Sequence, residues 1–221
     1  MRLGFVRAFL MAALCSAPIA VSVFVPTDAH ASVSIAVAFD ALVKDADAVG
    51  VVTPVEAKSV WEDGRIYTYT KVKIDQSVAG DVGTGSEGWV RTMGGVVGKI
   101  GQMVDGEPVL TVGKPSLLFL RNFKQGGTWQ VSARAQGQFP VLVDDATKLR
   151  KVIRSANVGV ILPPKARPAA DPNGQQTLDP RFVSEDYKPR LAGDVMHDRP
   201  LDDVVREVAT TWKRLHPAAS K

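Results

Sequence analysis

Cysteine is almost absent from this sequence, which excludes disulfide-stabilised domains and enzymes that use a cysteine nucleophile. The 221 residues include one cysteine, Cys15, which lies in an N-terminal segment that we expect to be cleaved. The remaining chain would then have no disulfide bond and no thiol nucleophile, so its core must hold without cross-links. Export without cysteine is typical of bacterial proteins rather than of small animal secreted domains, so we expect a bacterial origin.

Histidine is nearly as scarce, which limits the chemistry that the chain can perform. Of three histidines, His30 lies in the segment expected to be cleaved, and His197 and His216 lie near the C-terminus. Neither belongs to an H-E-x-x-H motif, and no G-x-S-x-G elbow supplies a serine nucleophile. We interpret both as surface histidines. The sequence predicts no catalytic residue, no metal site and no cofactor.

The chain also lacks a large excess of one charge sign, and it lacks long apolar runs after the N-terminal segment. The chain has 27 basic and 23 acidic residues, and the basic ones are scattered rather than gathered into a stripe. Nucleic-acid binding needs a concentrated basic surface, so we expect no nucleic-acid partner. Beyond residue 31 no apolar run is long enough to span a bilayer, so we expect no stable membrane span after cleavage.

The first 31 residues have the features of a signal peptide. Arg2 and Arg7 form a positive region, and an apolar stretch runs from Ala8 to Val25. Ala29-His30-Ala31 is a small-x-small cleavage site. We therefore predict cleavage after Ala31 and a secreted or periplasmic protein. A membrane anchor is the alternative, which Pro18 and the cleavage site disfavour.

The rest of the chain divides into three parts. Residues 32–162 are predicted to form a β-barrel domain. Residues 163–199 are rich in proline and poor in apolar residues, which is typical of a linker. Residues 200–221 carry an amphipathic pattern that predicts a helix over Leu201–Leu215, docked on the barrel or, as the alternative, on a partner.

The stretch from Trp89 to Leu120 is the expected middle of the barrel. Ser116–Leu120 (SLLFL) is the most continuous apolar run after the signal peptide, which predicts a central strand. Glycines recur between the two apolar runs at positions 94, 95, 98, 101 and 106. They favour a bulged strand at a barrel corner, with a nest of backbone amides for a ligand as the alternative.

Other segments follow simple periodicities. Ala38–Ala46 has the spacing of a short amphipathic helix, and Trp61–Gly64 is a hairpin turn signal. Ile66–Ile74 alternates, which places Ile66, Thr68, Thr70, Val72 and Ile74 on an inward face. We predict a strand over Lys148–Ser155, with a helix over Ala146–Arg154 as the alternative.

Candidate ligand-binding residues come from two places. Tyr67 and Tyr69 alternate with Lys71 and Lys73 on the outward face of the second strand, as in barrels that bind partners, unless a helix covers this face. The glycine loop adds Gly94, Gly95, Asp105 and Glu107. A third candidate motif, Gly83–Gly88, matches G-x-G-x-x-G, but Trp89–Met93 after it reads as a strand. We therefore interpret that motif as a hairpin loop.

One further pattern is a resemblance in layout. It consists of Ala46-Asp47-Ala48-Val49, then Tyr67-Thr68, Arg91–Gly95, Leu117–Leu120 and Gln136–Phe139. This order resembles uncharacterised exported bacterial β-barrel proteins, and it is similar to the OB-like barrel of metalloproteinase inhibitor and netrin modules. The resemblance implies a mainly β fold, a small OB-like barrel with a short N-terminal helix and a C-terminal amphipathic helix. The inhibitors insert an N-terminal cysteine into their target, and this chain has none there, so inhibition does not carry over.

The expected function is an exported, non-catalytic binding or accessory module, with a protein partner in the periplasm or outside the cell. One alternative is an enzyme of unrecognised type that uses carboxylates of the Gly94–Glu107 loop. A second alternative is a structural protein of the cell envelope. The paired carboxylates Asp105 with Glu107, and Asp144 with Asp145, lie in expected turns, where acidic residues commonly cap backbone amides.

Overall fold

The protein is mainly β, as the sequence predicts. A computed structural model describes residues 33–123, 127–164 and 189–217. The strands are β1 (Val33–Ile35), β2 (Ala48–Glu62), β3 (Arg65–Gly80), β4 (Glu87–Met93), β5 (Gly95–Val97), β6 (Ile100–Gln102), β7 (Ser116–Phe123), β8 (Thr128–Val131), β9 (Gln138–Val143), β10 (Arg150–Val152), β11 (Val160–Leu162) and β12 (Arg199–Pro200). The helices are α1 (Phe39–Asp45), α2 (Ala192–Met196) and α3 (Leu201–Leu215), and short 3₁₀ turns cover Arg134–Gly137 and Ala156–Val158.

One large sheet dominates the fold. Its order is β12-β10-β9-β7-β2-β3-β4-β8, and β7 pairs with β8 in addition. Strand β4 meets β8 in parallel at the single pair Val90 and Trp129, whereas every other pairing in this sheet is antiparallel. Two small sheets accompany it: β1 with β11 in parallel, and β5 with β6 in antiparallel.

The long β2–β3 hairpin follows from its turn and its alternation. Asp63 and Gly64 form a two-residue loop with φ of 49° and 76°, the geometry that matches the twist of paired strands. Along β3, Ile66, Val72 and Ile74 are buried. The predicted hairpin and its inward face are confirmed for these residues.

Alternating residues of β2 and β7 serve two separate apolar cores. Val49, Val51, Leu117 and Phe119 face one core, which also holds the buried residues of the three helices. Their neighbours in sequence face a second core enclosed by β2, β3, β4, β7 and β8, and this core contains Ala48, Val52, Val72, Ile74, Val90, Leu118, Leu120 and Val131. Strand β7 is buried on both faces, which explains its continuous apolar run and confirms Ser116–Leu120 as a central strand.

The C-terminal helix packs on the same sheet. Helix α3 begins at Leu201 and ends at Leu215, as predicted, and Leu201, Val204 and Val208 are buried in the first core. Arg214 of α3 also forms an ion pair with Asp40 of α1 at 2.8 Å. Of the two docking alternatives, the structure shows the helix docked on its own chain.

Several predictions end at other residues or fall outside the described ranges. The strand predicted for Lys148–Ser155 is limited to Arg150–Val152, because a turn centred on Asp144 occupies the residues before it. The predicted signal peptide lies outside the described residues, and so do residues 165–188 of the predicted linker. The last part of the predicted linker, residues 189–199, is described and includes α2, which buries Ala192 and Met196. Among the described helices, none combines the length and the apolarity that crossing a membrane requires.

Candidate functional site

A cleft of about 520 Å³ lies beside the Gly94–Glu107 loop. Three threonines of β3 and β4 face it from the sheet, namely Thr68, Thr70 and Thr92. Glycine backbone and apolar side chains form most of its remaining wall, namely Gly94, Gly95, Val96, Gly101, Met103, Val104, Pro108, Val109 and Leu110. Asp105 and Glu107 also border it. Four of the six predicted ligand-binding residues, Gly94, Gly95, Asp105 and Glu107, therefore lie at one cleft.

The glycine loop is a hairpin of its own rather than the bulged strand that we expected. Gly94 and Gly95 have φ of 94° and 134°, which turns the chain out of β4 and into β5. The loop is bound closely to the β2–β3 hairpin, because Thr68 Oγ1 donates to the Gly94 carbonyl at 2.7 Å and lies 2.8 Å from Ser59 Oγ. The two glycines therefore permit a close approach of backbone to side chains.

Glutamine side chains act as strand partners around this cleft. Gln138 is buried, and its amide accepts from Val109 N at 3.1 Å and donates to Val109 O at 2.7 Å. Gln102 accepts from Ile66 N at 2.7 Å, and Gln136 bonds Val37 N and Ile35 O. Gln136 and Gln138 each use both the acceptor and the donor of the side-chain amide, as a neighbouring strand would, whereas Gln102 uses its acceptor. Sequence reasoning missed this role, although Gln136 and Gln138 stand out as amides beside apolar strands.

The two carboxylates of the loop have different environments. Glu107 is 8% exposed; its Oε2 accepts from Met93 N at 3.1 Å, and its Oε1 lies 3.2 Å from Arg134 Nε. Asp105 is exposed. Glu107 thus joins the end of β4 to the turn after β8, and its charge is held by protein donors. The two predicted carboxylates therefore differ in burial, and only Glu107 has hydrogen-bond and ion-pair partners among the described residues.

Tyr67 and Tyr69 form a polar network on the outward face of β3. The guanidinium of Arg91 lies over the Tyr67 ring, 3.5 Å from its centroid. Tyr69 OH donates to Glu62 Oε1 at 2.6 Å, and Arg91 Nη2 donates to Glu62 Oε2 at 2.7 Å. These two bonds hold the pKa of Glu62 below its ordinary value, while burial and the bond to Glu62 raise the pKa of Tyr69. Neither tyrosine belongs to the core under the helices, and both are partly exposed.

A second, smaller groove of about 180 Å³ lies on the other side of Glu107. Its walls include Tyr67 of β3, Arg91 of β4, Gln130 of β8 and Arg134 of the turn that follows. Met93 and Glu107 border both this groove and the cleft. Of the six predicted residues, Tyr67 therefore borders the groove, Glu107 borders both spaces, and Gly94, Gly95 and Asp105 border the cleft, whereas Tyr69 borders neither.

The remaining sequence candidates have structural roles. His197 Nδ1 accepts from Arg154 N at 3.1 Å, and His216 stacks on Trp212 with ring centroids 3.9 Å apart. Asp144 accepts from the amide of Thr147 at 2.8 Å, so it caps its turn as expected, and this bond lowers its pKa. In the described ranges no three His, Cys, Asp or Glu side chains are grouped closely enough to hold a metal ion.

The Gly83–Gly88 motif covers the end of the loop between β3 and β4 and the first two residues of β4, so it leads into a strand, as the sequence predicts. Its glycines therefore do not open a helix that could hold a dinucleotide. Comparison with known proteins finds no relative: no family model, no curated protein and no solved structure matches the chain.

Proposed function

We propose that the protein is an exported, non-catalytic binding module whose site is the cleft beside the Gly94–Glu107 loop. The observation that carries this proposal is the cleft itself. Its volume of about 520 Å³ lies within the range of roughly 300–1,000 Å³ that small-molecule sites occupy. Its wall is mainly apolar with a few hydroxyl groups, the usual composition of such sites.

The fold that we propose for the module is an OB-like barrel. Its support is the ring of pairings β2–β3, β3–β4, β4–β8, β8–β7 and β7–β2, with the apolar core that these strands enclose. Five-stranded barrels of this kind bind ligands on a strand face and in the adjoining loops. The likeness to the inhibitor and netrin layout rests on this ring and extends to fold alone.

The ligand class follows from the wall of the cleft. Among the described residues that border it, two are charged: Asp105, which is exposed, and Glu107, which is bonded to Met93 and Arg134. The hairpin beside it presents Val96, Ile100 and Met103 to solvent, and Met103 is 92% exposed. A neutral, mainly apolar molecule or group fits these surroundings best.

Replacing Gly101 by leucine tests the cleft. Gly101 borders the cleft, and a Cβ there would meet Val96 Cγ2 at 3.7 Å and Gly95 O at 4.0 Å, both ordinary contact distances, so we expect the variant to narrow the site without backbone strain. We expect it to weaken binding of the uncharged apolar dye N-phenyl-1-naphthylamine at least tenfold, measured by fluorescence titration. The dye is the probe because the natural ligand has not been identified.

The matched control is Gly83→Leu. Gly83 is exposed, also has room for a side chain, and lies in the β3–β4 loop away from the cleft wall. Its dye affinity should equal that of the parent protein. Equal affinity in both variants, or a dye signal that does not saturate in the parent, would contradict the proposed site.

Export is tested by cell fractionation. We expect the expressed full chain to appear outside the cytoplasm as a species that begins at Ser32, because Ala29 and Ala31 present the small residues that signal peptidase requires. N-terminal sequencing of the fractionated protein measures this directly. A full-length product in the membrane fraction would refute cleavage after Ala31.

A further inference from the structure

We propose that the groove between β4 and β8 binds a carboxylate group presented by a protein partner, with Arg134 as its anchor. The groove is the 180 Å³ space bordered by Tyr67, Arg91, Gln130 and Arg134. This proposal does not depend on a ligand in the larger cleft, because Tyr67, Gln130 and Arg134 border the groove alone.

Arg134 has donor groups to spare. Its Nε lies 3.2 Å from Glu107 Oε1, and its two terminal nitrogens make no hydrogen bond with the described residues. The side chain is 52% exposed, so a ligand can reach it. The planar fork of an arginine guanidinium matches the two oxygens of a carboxylate, which makes it the preferred anchor for such a group.

The backbone that positions Arg134 is strained. Ala133 and Arg134 have φ of 53° and 54°, a left-handed conformation that residues other than glycine seldom adopt twice in succession. The amide of Ala135 donates to the Gly106 carbonyl at 2.9 Å, and Gly137 passes so close to Ser132 O that a Cβ would collide with it. Strain of this kind is typical of ligand sites, where the surrounding structure maintains it.

The other walls of the groove add donors. Tyr67 and Gln130 both border the space, and within the described ranges neither the Tyr67 hydroxyl nor the Gln130 side-chain amide makes a hydrogen bond. The charges of Arg91 and Arg134 are balanced by those of Glu62 and Glu107, so the groove is close to neutral overall. Surplus N–H and O–H donors in a nearly neutral pocket favour a compact acceptor over a highly charged chain.

The size and charge of the groove identify the class of partner. Its 180 Å³ is below the range of whole-molecule sites, so it suits one functional group that projects from a larger molecule. A nucleic acid would need several cations in a row to follow its phosphates. A protein offers a single carboxylate, either at its C-terminus or on an aspartate or glutamate side chain.

Peptide titration of the full chain tests this proposal. The probes are N-acetyl-Gly-Gly-Gly with a free C-terminus, N-acetyl-Gly-Gly-Asp-amide and the neutral N-acetyl-Gly-Gly-Asn-amide. Binding is measured from the NMR shifts of the Arg134 Nε–H and Gln130 side-chain amide signals. Saturable shifts with either acidic peptide support the proposal, and the difference between the two identifies the source of the carboxylate. Equal shifts with the neutral peptide overturn it.

Two substitutions assign the binding to the groove. Arg134→Gln should weaken the binding of the acidic peptide at least tenfold, whereas Arg121→Gln, a similarly exposed arginine paired with Asp45, should leave it unchanged. Tyr67→Phe should weaken it about threefold without touching the Arg134–Glu107 pair, so a folding defect of Arg134→Gln cannot mimic the result. Unchanged affinity in both groove variants overturns the proposal, as does tighter binding of a short oligonucleotide that Arg134→Gln abolishes. Dye binding in the cleft, which Gly101→Leu should weaken at least tenfold, should be unaffected by either groove variant, because neither Tyr67 nor Arg134 borders the cleft, so the two proposals fail independently.

Discussion

Glu107→Ala is expected to lower the free energy of unfolding by about 3 kcal/mol. The buried carboxylate makes a charge-assisted hydrogen bond to Met93 N and an ion pair with Arg134, and each such bond contributes about 1.5–3 kcal/mol. The alanine variant also leaves Met93 N without its acceptor. Because Arg134 is half exposed, water screens the ion pair, which keeps the expected loss below the sum of the two upper values. Urea denaturation of parent and variant measures the difference.

Asp105→Ala is the matched control for this prediction. Asp105 belongs to the same loop and carries the same charge, but its side chain is exposed. Its removal should change the unfolding free energy by no more than about 0.5 kcal/mol, as is usual for surface sites. An equal loss in the two variants would mean that the loop is sensitive to charge in general. It would count against the conclusion that the contacts of Glu107 hold β4 and the turn after β8 together.

The Glu107 result would also separate the two functional alternatives of the sequence. A carboxylate kept for catalysis typically costs stability, whereas Glu107 is expected to contribute it. Glu107→Gln refines the distinction, because the amide oxygen can still accept from Met93 N while the charge toward Arg134 is gone. We expect that variant to lose about 1 kcal/mol, roughly one surface ion pair.

The elements that the sequence predicts well are those set by neighbours in the chain. The Asp63-Gly64 turn, the alternation of β3 and the bounds of α3 depend on local backbone preference and on which face is apolar. The continuous apolar run of β7 predicts a central strand for the same reason. Each of these signals lies within a window of about twenty residues, where periodicity is informative.

The features that sequence reasoning missed depend on contacts between distant parts of the chain. Gln138 bonds the backbone of Val109, and Gln102 bonds that of Ile66, across separations that no local period encodes. The role that we propose for Arg134 depends on a left-handed backbone and on Glu107, neither of which its neighbours in sequence reveal. The glycine loop was located correctly, but its hairpin form depends on where Ser59 and Thr68 bring it into contact with the sheet.

The second large effect is expected at Gly95. Gly95→Ala should lower the unfolding free energy by about 3 kcal/mol, because two penalties coincide. The φ of 134° is one that a residue with a Cβ rarely adopts, and the added Cβ would collide with Thr68 Oγ1 and Ser59 Oγ. Gly98→Ala is the control: its φ of 60° is also positive, but nothing lies within 4 Å of the added atom. We expect it to cost about 1 kcal/mol.

The difference between these two glycines links stability to the proposed binding site. Gly95 is where the hairpin lies against the hydroxyls of the β2–β3 hairpin, so a collision there must move β5 and β6 together with the cleft wall that they form. Gly95→Ala should therefore reduce N-phenyl-1-naphthylamine binding even below the temperature at which it unfolds, and Gly98→Ala should leave that binding intact. If Gly95→Ala loses stability yet binds the dye normally, the hairpin is not what shapes the cleft. The ligand site must then be sought on the strands alone.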